Sequence, residues 1–451
     1  MRNCSSVSGM VVVVESKKPY YDVGDCISGA VVITPKKNTE FSEVLITLEG
    51  TARTWNVSAN LGTRVDAKNT FLKMSYPVEE DDYPSPRILL AGMTYKFNFS
   101  FVLPERLLDS ECDRFASHRQ LPPTVGDLGL PWEFDDCSPN MARIAYQIVG
   151  KVLHIKDGDG PRSVPYSAST SIPVITSYMP DVRNIPHDNY KGQELSLGDD
   201  GFTRLCLSTK ALKKGIISRS AVGDLTLEAS ISKPFVSLKE EPVPLLLKLS
   251  YSHGEKVKKS DIRIPKVESV AVKLRVYTYF STVPMAYMPH PKSRVLDPRL
   301  GLYQENFKIA NYNFTTCSQT AWAKESDNHY SINATIPLMT PKERVLVPNF
   351  WSCLIGRQYE VELDVKLSSG NINLKIPVEV TTNKVAERVR NMSTFKEKDY
   401  GVLDTSLHDD SASEDHDPLP DAFSRWTSRG LHLPAGSAEA ISWQGNIALK
   451  T

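Results

Sequence analysis

The strongest constraint on the fold is the run "YEVELDVKLSSGNINLKIPVEV", residues 359–380. Val361, Leu363, Val365 and Leu367 share one phase, and Glu360, Glu362, Asp364 and Lys366 share the other. A period of two puts the first set on a buried sheet face and the second in water. Ser368-Ser369-Gly370-Asn371 supplies turn chemistry, after which Ile372, Leu374, Ile376 and Val378 resume the alternation. The segment is a β-hairpin. Pro377 lacks an N–H and belongs on a sheet edge.

The same period recurs elsewhere. Val44, Ile46 and Leu48 alternate with Leu45, Thr47 and Glu49; Phe97, Phe99 and Phe101 with Lys96, Asn98 and Ser100; Val272, Leu274 and Val276 with Lys273, Arg275 and Tyr277. Met10–Val14 holds four consecutive valines, whose β-branching favours extended backbone. In "YYDVGDCISGAVVI" (20–33), Gly24-Asp25 reads as a turn feeding a strand, and Gly29 as a point of close backbone approach. Cys26 and Ser28 are then strand residues with no base to make them nucleophiles. Helical periodicity is almost absent; the best candidates are "SVPYSAST" (163–170) and 106–116, where Leu107, Leu108, Cys112 and Phe115 suit two or three turns. Thirty prolines and twenty-four glycines break up the rest. Many short strands with few helices between them predict an all-β protein built of sandwiches.

At 451 residues there is room for more than one domain. The breaker-rich segment 181–200 is expected to be a linker between sandwiches at 1–180 and 201–383. From 384 to 451 the pattern dissolves. Residues 404–421 hold seven acids and no Lys or Arg, so a disordered acidic tail with aromatic anchors is expected. Zero formal net charge gives no global pull toward nucleic acid or membrane. The seven cysteines include no C-x-x-C pair, and no cofactor or metal is expected. No apolar run is long enough to span a bilayer. These features lead to an expectation of a cytoplasmic, non-enzymatic protein.

"YYDVGDCISGAVVITPKKNTEFSEVLITLEGTARTW" (20–55), "MTYKFNFSFVLPERL" (93–107), "LPPTVG" (121–126) and "ARIAYQIVGKVLHI" (142–155) resemble, in order and spacing, an arrestin-like N-terminal domain. "GDLTLEASISKPFVSLKEEPVPLLLKLSY" (223–251), "VESVAVKLRVYTYF" (267–280) and "NFWSCLIGRQYEVELDVKL" (349–367) are similar to an arrestin C-terminal domain. Within the family the likeness is to alpha-arrestins of the fungal type. It implies two immunoglobulin-like β-sandwiches in tandem. It also implies an adaptor, peripheral at the plasma membrane or endosomes, that binds cytosolic tails of membrane transporters or receptors and promotes their ubiquitin-linked endocytosis. A structural subunit of a retromer-like coat is the alternative. Alpha-arrestins recruit HECT-type ubiquitin ligases through Pro-Pro-x-Tyr or Leu-Pro-x-Tyr segments, and this chain carries neither.

Residues 201–280 carry fifteen Lys or Arg against seven Asp or Glu. Lys213, Lys214, Lys256, Lys258 and Lys259 are therefore candidates for binding phosphate or anionic lipid. Lys17 and Lys18 follow the first strand, near where arrestins place phosphate-sensing residues. Phe423, Trp426 and Trp443 in the tail are candidate docking anchors. In 108–140, Cys112, Asp113, His118, Asp135, Asp136 and Cys137 gather without metal-ligand spacing, so this segment reads as an interaction loop.

Overall fold

The computed structural model describes residues 9–382, except 16, 58–61, 108–114, 127–134, 155–162, 177–192, 198–203, 215–219, 237–240, 254–261, 263, 292–296, 298, 314–321 and 342–343. The first half contributes β1 (Met10–Val14), β2 (Cys26–Ile33), β3 (Thr39–Glu40), β4 (Glu43–Val57), β5 (Arg64–Tyr76), β6 (Ile88–Leu89), β7 (Tyr95–Val102), β8 (Ala142–His154) and β9 (Ser163–Ile172). Three of these form the sheet β1-β2-β7 and four the sheet β5-β4-β8-β9.

Their inner faces are the apolar phases of the sequence. Phe97, Phe99 and Phe101 on β7 meet Ile46, Leu48, Ile144, Tyr146 and Ile148 from the other sheet in one core. Lys96, Asn98 and Ser100 are exposed. Two glycines mark close approach, Gly29 to the neighbouring strand β1 and Gly150 to the facing sheet. A Cβ on Gly29 would lie 2.2 Å from the Val13 carbonyl oxygen, and one on Gly150 would lie 2.8 Å from the Met10 methyl of the facing sheet. Gly24 has φ +79 at the turn before β2, as its sequence position predicts.

The second half supplies β10 (Gln193–Leu197), β11 (Arg204–Lys214), β12 (Ser220–Ile231), β13 (Phe235–Val236), β14 (Val243–Ser252), β15 (Val267–Ser281) and β16 (Leu300–Asn313). It continues with β17 (Ala323–Ser326), β18 (His329–Leu338), β19 (Phe350–Trp351), β20 (Ile355–Leu367), β21 (Gly370–Val378) and β22 (Val380–Thr381). One sheet runs β10-β11-β12-β14-β18-β17. The other runs β16-β15-β20-β19, with β21 also paired to β20.

The hairpin β20–β21 turns through Ser368 and Ser369, with Leu367 opposite Gly370, and buries the residues its alternation singled out. Pro377 lies on β21, which pairs with β20 alone, so no ladder bond is lost there. Residues 193–197, inside the segment read as a linker, are an edge strand of the second sandwich. Where 106–116 suggested a helix, Leu107 is buried, 108–114 (Cys112 and Asp113 among them) lie outside the described residues, and Ala116–Arg119 forms a single 3-10 turn. The other helix candidate, 163–170, is instead part of strand β9, because its backbone pairs with β8. The tail beyond 382 lies outside the described residues, as do its candidate anchors Phe423, Trp426 and Trp443.

Candidate functional site

The loop between β7 and β8 does more than connect two strands. Its closing stretch, Asp135 to Ser138, lies against the second sandwich and is bonded to it at each of the four residues. Val345 N–H donates to the Asp135 carbonyl at 3.0 Å. The Arg357 guanidinium donates to the Asp136 carbonyl at 2.8 Å and to Ser138 Oγ at 2.7 Å. The Thr278 hydroxyl donates to the Cys137 carbonyl at 3.4 Å. Arg344 sits 3.3 Å from the Asp135 carboxylate.

The strap holds its shape through its own aspartates. Asp136 accepts from the N–H of Gly126 at 2.7 Å and of Ser138 at 3.0 Å, and Asp135 accepts from Cys137 N–H at 2.9 Å. Asp and Asn fold such turns because a short side-chain acceptor reaches a backbone donor two residues on. With those N–H groups satisfied internally, the carbonyls face outward to the second sandwich. Cys137 takes φ 60, an uncommon conformation for a residue with a Cβ. Its thiol is buried, and burial pushes it up to about 12.

Arg357 lies on the inward phase of β20 and is fully buried. It forms an ion pair with no carboxylate among the described residues, so its charge is offset by the strap carbonyl, the Ser138 hydroxyl and the Tyr359 hydroxyl at 3.5 Å. An arginine cannot shed its proton here, and burying an ion costs several kcal/mol. That cost is met only when the strap is in place. Tyr359 is fixed in turn by donating to the Val347 carbonyl at 2.6 Å.

Beside this polar seam the two halves share apolar packing. Phe280, Val345, Val347, Phe350, Leu354 and Ile355 of the second half join the core cluster of the first. The Thr54 hydroxyl on β4 donates to the Ser281 carbonyl at 2.7 Å. This explains one departure from the alternation on β15. Val276 to Ser281 are buried on both faces: Thr278 and Phe280, in phase with Val276, meet the strap and the core of the first half, while Tyr277 and Tyr279 on the other face pack with Met285, Leu300 and Trp351. Further along, Phe115, His118 and Trp351 pack ring against ring at 4.6 to 5.2 Å, and Cys353 Sγ lies 3.5 Å from His118 Nδ1. Burial lowers the His118 pKa to about 4, so the imidazole is neutral at ordinary pH.

The candidates named from sequence fall elsewhere. Lys18 pairs with Asp25 at 3.3 Å and stands over the Tyr21 ring, and Lys17 is exposed beside it. Lys213 and Lys214 end β11 in the second sandwich, paired in register with Ala221 and Ser220 of β12. Lys256, Lys258 and Lys259 lie outside the described residues. Cys26 opens β2, exposed, with Sγ 3.1 Å from Ser100 Oγ and 3.3 Å from Ser28 Oγ. Hydrogen bonds from Ser100 and Ser28 lower its pKa. Asp22 and Asp25 each accept a backbone N–H of the turn. Of the loop residues, His118, Asp135, Asp136 and Cys137 all reach the junction. No cluster of metal-ligating His, Cys, Asp and Glu occurs among the described residues. Arg357 and Thr278 went unnoticed in the sequence, although an arginine in the apolar phase of a strand was the available signal.

Comparison with known proteins gives two family matches. The family "Arrestin (or S-antigen), N-terminal domain" matches residues 10–114, and "Bul1 C terminus" matches residues 296–383. A curated relative, arrestin domain-containing protein 17 of Caenorhabditis elegans, is 31% identical over 140 residues. That alignment spans 29% of this chain and 31% of the relative's length.

Proposed function

From the premise that the chain is an arrestin-like protein, we propose that it is a non-enzymatic adaptor. It binds cytosolic segments of membrane transporters or receptors and directs them to ubiquitin-linked endocytosis or sorting. The observation that supports this most is the junction itself. An arrestin-type N-terminal sandwich is joined to a second sandwich by a hydrogen-bonded strap, so both halves present outer faces, strand edges and loops as one unit. Weak contacts on such a unit combine through effective concentration, which suits the recognition of flexible tails.

Lys17 and Lys18 on the first sandwich, with the lysine-rich second half, offer attraction to phosphorylated cargo or anionic headgroups. The ligase arm works through a partner protein or another surface. The chain's own Pro122-Pro123 step is buried, and the Pro122 carbonyl accepts from the Tyr146 hydroxyl at 2.6 Å. It therefore cannot enter an aromatic-lined groove that reads exposed polyproline. Proximity labelling in cells, with and without residues 385–451, tests the proposal. Enrichment of membrane transporters and ubiquitin machinery is expected, and a neighbourhood lacking both overturns it.

A further inference from the structure

β5 is the outermost strand of the sheet β5-β4-β8-β9, and over thirteen residues its free side meets no other described strand. Long bare edges are normally covered or blunted, because their unpaired N–H and C=O groups template another strand. This one is neither short nor capped by proline; its lysines and its bulge guard it against another edge of like charge but leave it open to a segment of opposite charge. A register shift opposite Gly50 and Thr51 leaves Phe71 as the extra residue, dividing the edge into Arg64–Thr70 and Leu72–Tyr76.

The side chains bordering this edge have a definite chemistry. On the outer face, Lys68 and Lys73 of β5 are exposed; exposed Arg53 of β4 lies directly opposite Lys68, Glu49 lies opposite Lys73, and Asp66 on the same face is engaged by Arg64 at 2.6 Å, which leaves a net positive face centred on Lys68 and Arg53. None of Lys68, Lys73 and Arg53 makes an ion pair or side-chain hydrogen bond with a described residue. Like charges placed opposite each other across strands are unfavourable unless an anion joins them. On the inner face, Ala67, Phe71, Met74 and Tyr76 are only partly buried against the core. A strand added here would therefore set one phase of its side chains beside lysines and the other over half-covered apolar groups.

We propose that the β5 edge is a docking strand for an extended partner segment that alternates acidic and apolar side chains. Backbone pairing supplies attachment, Lys68 and Lys73 select acids on one face, and Phe71, Met74 and Tyr76 select apolar groups on the other. The lysines also repel a second copy of the same edge, which excludes self-pairing as the occupant. The adaptor reading is needed only to say whose segment this is.

The test uses the full chain and a synthetic twelve-residue peptide alternating Glu with Val, followed by fluorescence anisotropy and amide hydrogen exchange. Binding is expected to slow exchange across residues 64–76. The double variant K68E/K73E should weaken binding about tenfold and confer binding of the matching Lys–Val peptide. Absence of binding, affinity unchanged by the charge reversal, or protection on another strand overturns the proposal. So does a block peptide of equal composition binding equally well, or capture of anionic vesicles in place of either peptide. Failure of proximity labelling alongside peptide binding at β5 would remove the adaptor reading and leave this edge intact.

Discussion

On the first-sandwich side of the junction the acceptors are mostly main-chain carbonyls, those of Asp135, Asp136 and Cys137, with the Ser138 hydroxyl and the Asp135 carboxylate beside them. On the second-sandwich side the donors are mostly side chains held by strands, Thr278 on β15 and Arg357 on β20. The two sides should therefore respond differently to mutation. A carbonyl survives any substitution that keeps the backbone in place, whereas a guanidinium or hydroxyl is lost with its residue.

The sharpest probe of this difference is Arg357→Ala. It empties a large buried volume and strands the Asp136 carbonyl and Ser138 hydroxyl, for a loss of about 3 to 5 kcal/mol. Calorimetry should then resolve separate unfolding of the two sandwiches. Arg357→Met keeps the stem volume and removes the buried charge but still leaves the Asp136 carbonyl and Ser138 hydroxyl without their donor, so it should cost about 1 to 3 kcal/mol, less than Arg357→Ala.

His118 comes next. Its folded pKa of about 4 lies below the unfolded value of about 6.5. The unfolded state thus takes up the proton first, and stability held above pH 6.5 is lost as pH falls toward 4. The loss is on the order of 3 kcal/mol, and denaturant midpoints for His118→Phe should lack this component. Asp136→Ala removes the acceptor for Gly126 and Ser138 N–H and should cost about 1 to 2 kcal/mol by urea titration. A larger cost than that of Arg357→Ala would break the comparison, since the strap would then depend on its own side chains more than on its partners. Thr278→Val, which removes one long hydrogen bond, should cost about 1 kcal/mol or less in the same titration.

These effects also mark where the sequence was readable. The phase of β20 was plain from Val361, Leu363 and Val365, and it already placed Arg357 inward with Ile355 and Tyr359. What the phase could not supply was the partner, because Asp136 and Ser138 are more than two hundred residues away on a loop with no periodicity. The Phe97, Phe99 and Phe101 face and the close approach at Gly29 were legible because sheet geometry alone determines them. The double-sided burial of Val276 to Ser281 was not. Alternation reports one wet face, and here the second half of the chain's own fold takes the place of water. Lys17, Lys18 and the other lysines stood out by composition, which carries no information about the junction.

Cys137 gives the junction a built-in chemical clock. Its thiol is sealed between the halves, while Cys26 is open to solvent. In a native sample exposed to an alkylating reagent, Cys26 should react at the pace of the reagent. Cys137 should react only as often as the two halves part, so the ratio of the two rates counts opening events with no engineered probe.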